Sequence, residues 1–368
     1  MNRIARVLAP RSTTAPTRTA APTKTEPPRT AGTHGVRINR SPCLVFFLIT
    51  IMAFEGTHCV AQVSPNPPTS AKVLPLRRPE LQDPPAPLTN DGSAPIVTLN
   101  RELARYRFEW RTSTGEIKRV DKLVGSAFDL VIRGRARLLP DGIEYEYEFQ
   151  NQSTSARSVH IVSLQALADA SCVHVPSSEW NCRAHPGLGK VTWALGGTEE
   201  KPDGIPIGDS VSGFKIESVG LPTIVKCKAS GATPIVDVPE DAPEMIYLFP
   251  NLAGGFRNFA SGNTIGPAAV PSKDTLPIET LTRLNTDLIE ARFQGWIGSE
   301  SILHDLQGAI SAMREALGVV EVENLKLAVE RTCSFADGAL NGEPPLITQE
   351  VHSLVTVNCR WLLRQYEK

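Results

Sequence analysis

Residues 291–317, ARFQGWIGSESILHDLQGAISAMREAL, join two helical patterns through a Gly295-Trp296-Ile297 corner. Before the corner, Leu281, Leu284, Leu288 and then Phe293 or Trp296 fall on one stripe of a 3.6-residue period. After it, Leu303, Leu306, Ile310, Met313 and Leu317 form a second stripe, with Ser299 before Glu300 as its start signal. Gly295 permits the tight turn, and Trp296 is expected at the base of the shared core.

Two further stripes follow. Val322, Leu325, Val329, Cys333 and Ala336 make one. Val351, Leu354 or Val355, Asn358, and Trp361 or Leu362 make the other. Pro277, Gly318, the run Gly342-Glu343-Pro344-Pro345, and Thr348 before Glu350 mark the ends. Residues 276–368 therefore predict an all-α, four-helix up-and-down bundle. Cys333 lies four residues after Val329, and Cys359 four after Val355, so both are expected on core faces of consecutive helices, where a Cys333–Cys359 disulfide would staple them. His304 and His352 fall outside the stripes and are expected to face solvent.

Working backwards, the period changes from 3.6 to two. Ile143, Tyr145, Tyr147 and Phe149 alternate with Glu144, Glu146 and Glu148, the pattern of a half-buried strand. Pro140-Asp141-Gly142 before it is a turn, and 128–132 (FDLVI) leads into that turn. Further strands are expected near 159–163, 191–195, 213–218, 223–228 and 245–249. Many short strands between Gly, Pro, Asn and Ser turns predict an all-β, immunoglobulin-like sandwich over 96–262.

The front of the chain reads as export machinery. Residues 43–54, CLVFFLITIMAF, are twelve uncharged residues, short of the roughly 20 needed to span a bilayer core. Arg37 and Arg40 precede them, and Cys59-Val60-Ala61 provides a small-x-small cleavage site. Residues 1–61 are thus expected to be a disordered leader with a signal peptide, cleaved after Ala61, leaving no stable membrane span. Residues 62–95 carry nine prolines and predict an extended linker.

Charge narrows the partners. The net charge of −1 hides eight basic residues against one acid in 1–40, which leaves 30 basic and 38 acidic residues in the rest. A mildly acidic body argues against nucleic acid, because phosphate binding needs a basic face.

Few residues carry a chemical signature. Cys172, His174, Cys182 and His185 lie within fourteen positions and could ligate zinc, but C-x-H…C-x-x-H is not a finger spacing. In an exported chain a Cys172–Cys182 disulfide is the expectation, with the metal site as its alternative. Cys227 is then left as an odd thiol. Asp237, Glu240, Asp241 and Glu244 form an acidic loop without a calcium-loop spacing. Glu144, Glu146 and Glu148 share one strand face at a spacing of roughly 7 Å, which glycosidases use, although a solvated strand face gives the same pattern. Trp110 and Trp180 are either core residues, as one Trp per several strands more often is, or exposed platforms, in which case they are the candidates for stacking on a sugar ring. There is no nucleophile elbow and no phosphate-binding glycine loop, and no catalytic residue or cofactor is assigned.

The helical stretch resembles the FIMAH-type module. The resemblance rests on Gly295-Trp296-Ile297, Leu303-x-x-Leu306-x-x-Ala309, Ala312-x-x-x-Ala316-Leu317, Ile347-Thr348 and Leu354-x-x-x-Asn358-x-x-Trp361-Leu362, over about residues 276–366. It departs from the pattern at Gly318-Val319-Val320-Glu321, where the link between the second and third helices usually holds small residues. The resemblance implies an accessory role in secreted bacterial proteins, and it carries no catalytic residue over. The expectation for the whole chain is a secreted, periplasmic or extracellular bacterial protein that binds glycan or protein at a surface or in a matrix. A secreted polysaccharide hydrolase and a structural envelope component are the alternatives.

Overall fold

A computed structural model describes residues 70–81, 83, 96–195, 204–231, 259–269, 276–319 and 321–367. The leader, the apolar run 43–54, most of the proline-rich segment, the strand expected at 245–249 and the acidic loop Asp237, Glu240, Asp241 and Glu244 lie outside the described residues. Within them, twelve strands form three antiparallel sheets, followed by four helices.

The two larger sheets make the expected sandwich. One has the order β4–β5–β10–β7, with β4 Leu130–Leu138, β5 Ile143–Asn151, β7 Ala170–His174 and β10 Ser210–Ser218. The other has the order β12–β11–β6–β9–β8, with β6 Val159–Gln165, β8 Trp180–His185, β9 Lys190–Leu195, β11 Pro222–Gly231 and β12 Ala260–Pro267. The alternation in β5 is realised directly: Ile143, Tyr145, Tyr147 and Phe149 are buried and the glutamates lie on the outer face. Their rings meet those of the opposite sheet. Tyr147 and Phe149 stand 5.3 and 5.7 Å from Trp193 of β9, and Phe214 of β10 stands 5.0 Å from Trp180 of β8. Burying side chains of this size contributes about 1.5–3 kcal/mol each, so the cluster is a main source of cohesion between the sheets.

A third, smaller sheet was not distinguished in the sequence. It is a meander of β1 Ile96–Asn100, β2 Arg105–Arg111 and β3 Ile117–Leu123, with its own core of Tyr106, Phe108, Trp110, Val124 and Ala127. Strand β12 is not among the strands expected from the sequence, and it runs past the expected end of the sandwich at 262. Its sequence, ASGNTIGP, has no alternation because Ala260, Thr264, Ile265, Gly266 and Pro267 are all covered.

The four helices are α1 Leu276–Phe293, α2 Glu300–Gly318, α3 Val322–Asn341 and α4 Gln349–Tyr366. They form the expected bundle around Leu281, Leu288, Leu306, Met313, Val329 and Leu354. Ser299 caps α2, its side chain accepting from Ile302 N. Gly295 adopts φ +76°, so a left-handed turn ends α1. The corner is then fixed by the other interhelical link: Thr348 N donates to Trp296 O at 2.9 Å, Gly298 N donates to Leu346 O at 2.8 Å, and Ile297 bridges Ile347. The motif that carries the family resemblance is thus a pair of links clasped together over a buried Trp296.

Helices and sandwich share an interface. Strand β4 is the edge of its sheet, and its outward amides at Gly134 and Ala136 donate to Glu350 Oε1 (2.8 Å) and Ser353 Oγ (3.0 Å) of α4. Thr223 Oγ1 and Ile224 N of β11 donate to the Asp287 carboxylate of α1, and Asn358 Nδ2 of α4 donates to Pro222 O at 3.0 Å. Residues 70–81 are bonded to both layers. Lys72 N donates to Gly295 O, and Leu76 N donates to Leu130 O with the Leu76 side chain in the sandwich core. This part of the proline-rich segment is therefore a strap across the interface.

The opposite side of the sandwich is closed covalently. The expected Cys172–Cys182 disulfide is present, and it joins β7, an edge of one sheet, to β8, an edge of the other. The expected Cys333–Cys359 bond is not: both are free, buried thiols. Sharing core stripes placed them in one core, but a disulfide also needs a specific Cα separation and Cβ direction, which periodicity does not supply. Cys227, expected to be the one odd thiol once the other four had paired, is instead one of three free buried thiols, and its burial pushes the thiol up to about 12.

Candidate functional site

A hollow of about 600 Å³ into which charged side chains converge lies where α4 crosses the outer face of the β4–β5–β10 sheet. The hairpin builds one wall. The turn at 139–142 sets a register in which Arg133, Arg135 and Arg137 of β4 stand opposite Glu148, Glu146 and Glu144 of β5. The resulting ladder has N–O distances of 3.4, 2.7 and 3.1 Å. Lys215 of β10 reaches both Glu144 and Glu146, at 3.6 and 3.4 Å. Helix α4 supplies the other wall, with His352, Thr356, Arg360 and Arg364. His352 Nε2 pairs with Asp337 Oδ1 at 2.6 Å, and Arg364 Nη1 donates to Leu139 O at 2.7 Å.

The lining holds five cationic side chains, Arg135, Arg137, Lys215, Arg360 and Arg364, against three carboxylates, Glu144, Glu146 and Glu367. Partial burial works to raise the Glu146 carboxyl, but Arg135 and Lys215 outweigh it and hold the group below its usual range. Glu146 is therefore ionised at neutral pH and is not a proton donor. The three-glutamate row, which resembled a carboxylate pair set for hydrolysis, is occupied in ion pairs along its length. What the site offers is guanidinium groups, an ammonium and an apolar floor of Ala136, Leu138, Val357 and Leu363.

The residues singled out earlier sit elsewhere. Trp110 is 4% exposed in the core of the small sheet, and Trp180 is 6% exposed beneath Phe214. Neither has a free face on which a sugar ring could stack. Both sulfurs of the Cys172, His174, Cys182, His185 set are in the disulfide, so no thiolate is left for a metal. His174 Nδ1 lies 2.6 Å from Gly213 O and must carry the proton, since a carbonyl can only accept.

The functional side chains that the reading of the sequence passed over were legible in principle. R-x-R-x-R at 133–137, a turn, then E-x-E-x-E at 144–148 is a charge-complementary hairpin. Of the pair Trp361 or Leu362, Leu362 is the fully buried bundle residue, while Trp361 packs partly against both cores and lines a second hollow of about 350 Å³ beside the first. Among the described residues no helix is long and apolar enough to cross a membrane. No family model matches this chain, and no curated protein matches it.

Proposed function

We propose that this chain is an exported, non-catalytic binding protein of the bacterial surface or matrix, with the groove between α4 and the β4–β5–β10 face as its ligand site. The observation that carries the reading is the groove's chemistry. Cations outnumber carboxylates there, and the carboxylates best placed for acid–base work are held in ion pairs. Such a surface attracts and orients an anionic ligand, and the imidazole in its wall, His352, is bonded to Asp337. The apolar run before Ala61, the Cys172–Cys182 bond and the FIMAH-like pattern over 276–366 support the exported placement.

Two measurements test this. The mature protein recovered from the producing cell should begin at Gln62 and lie outside the cytoplasm; an unprocessed cytoplasmic chain would refute export. Applied to immobilised glycans and surface proteins, it should bind without releasing new reducing ends. Release of reducing ends would establish the hydrolase reading instead.

A further inference from the structure

The groove is longer than its largest hollow. The first hollow, of about 600 Å³, and the second, of about 350 Å³, share Leu138, Arg364 and Glu367. Together they run along α4 from His352 to the 139–142 turn, with Trp361 in the second part. Beyond the turn a third hollow is lined by Asp141, Asp169 and Glu217 and by no cation. The second hollow holds Arg364 as its cation beside Asp141 and Glu367, so the cationic run is that of the first hollow and ends towards the turn.

We infer that this run takes an acidic polysaccharide chain, its carboxylates held by Arg360, Arg364 and the Arg135–Arg137 edge of the ladder, with one sugar ring on Trp361. The inference rests on the binding role proposed above and adds the ligand class. Guanidinium groups match planar carboxylates through paired N–H donors. Arg360 is exposed; it bonds the neutral Cys333 thiol and pairs with no carboxylate among the described residues, so its charge is not neutralised before a ligand arrives. Trp361 is anchored against both cores, which makes it a rigid stacking surface. Gln349 adds an amide along the wall that suits sugar hydroxyls. An acidic peptide fits less well. Extended peptides bind largely through main-chain hydrogen bonds, and the amides of the adjacent strand edge are already used, Gly134 by Glu350 and Ala136 by Ser353, while Leu139 O is taken by Arg364. The acidic third hollow repels further uronates and should set the end of the bound segment.

The test uses the mature chain with three polymers: polygalacturonate, the same polymer fully methyl-esterified, and polyglutamate. Affinity is read by calorimetry and by tryptophan fluorescence at two salt concentrations. Polygalacturonate should bind at least tenfold more tightly than either of the others, and added salt should weaken it. Arg360→Gln should weaken binding severalfold, and Arg364→Gln at least tenfold. Trp361→Phe should keep the fold and remove most of the fluorescence change. Circular dichroism melting checks that each variant is folded. Equal affinity for the esterified polymer or for polyglutamate overturns the ligand class but leaves a binding protein. Unchanged affinity in folded Arg360→Gln and Arg364→Gln variants overturns the site. Absence of binding to all three polymers overturns the inference, and the glycan and protein panel then decides the broader role separately.

Discussion

Asp287 should make the attachment of helices to sandwich depend on pH. Its carboxylate is 7% exposed, and burial, opposed by the hydrogen bonds from Thr223 and Ile224, raises it from the ordinary aspartate value to about 6. In the unfolded chain the group titrates near the ordinary aspartate value of 3.8. Between those two values the folded protein binds the proton more tightly than the unfolded one, so stability falls as pH rises through that window and levels off above about 6. From about pH 4.5 to about pH 7.5 the shift corresponds to a loss of about 2 kcal/mol. Glu350, whose carboxyl burial also pushes up, acts in the same direction. Asp121 and Glu146, held low by arginines, act in the opposite direction, so the wild-type profile alone is not diagnostic. The diagnostic quantity is the stability difference between wild type and Asp287→Asn, measured by urea unfolding across that range. Asparagine can still accept from Thr223 and Ile224 but does not titrate. The difference should favour wild type more at the acid end, by about 2 kcal/mol. A difference that is flat with pH would refute the argument.

Three further outcomes follow from the packing. Gly134→Ala should lose about 1–3 kcal/mol in thermal unfolding, because an added Cβ would lie 2.9 Å from Ile265 Cγ1 and 3.0 Å from Thr264 Oγ1, both buried. Ser353→Ala should cost about 1–3 kcal/mol by the same measurement, since it strips the partly buried Ala136 amide of its acceptor. Reducing Cys172–Cys182, which closes a loop with a sequence separation of 10, should lower stability by about 3 kcal/mol, while thiol labelling of the native oxidised protein stays slow because Cys227, Cys333 and Cys359 are buried.

The elements with a strict period were legible in the sequence. Strand β5 and the four helices each bury one face against one neighbour, so residue type repeats at the period of the backbone. Elements with two covered faces or two exposed ones escaped. Strand β12 is buried on consecutive residues from Thr264 to Pro267 and so has no alternation, and β7, whose residues 171–174 are all exposed, has none either. The groove was hidden for a different reason. It needs the β4–β5 register and the crossing of α4 at once, and the second is fixed by Glu350, Ser353, Asp287 and Asn358, polar residues that no hydrophobic pattern reports. Asn358 in particular read as a core position of a bundle, where its amide instead serves the strand carbonyl at Pro222.

The arrangement of the two strand edges bears on how the protein behaves in a crowd of its own copies. An open edge with free amides invites another chain to add as a strand, the first step towards fibres. Here β4 is shielded by α4, and β7 is fastened to the opposite sheet through Cys172 and Cys182. A chain cut after Pro267 would keep the sandwich sequence but expose the amides of Gly134 and Ala136. Its solubility limit should drop well below that of the full chain, and the aggregate should carry intermolecular β-structure visible in the infrared. The helical layer would then owe its place in the chain as much to preventing self-assembly as to shaping the groove.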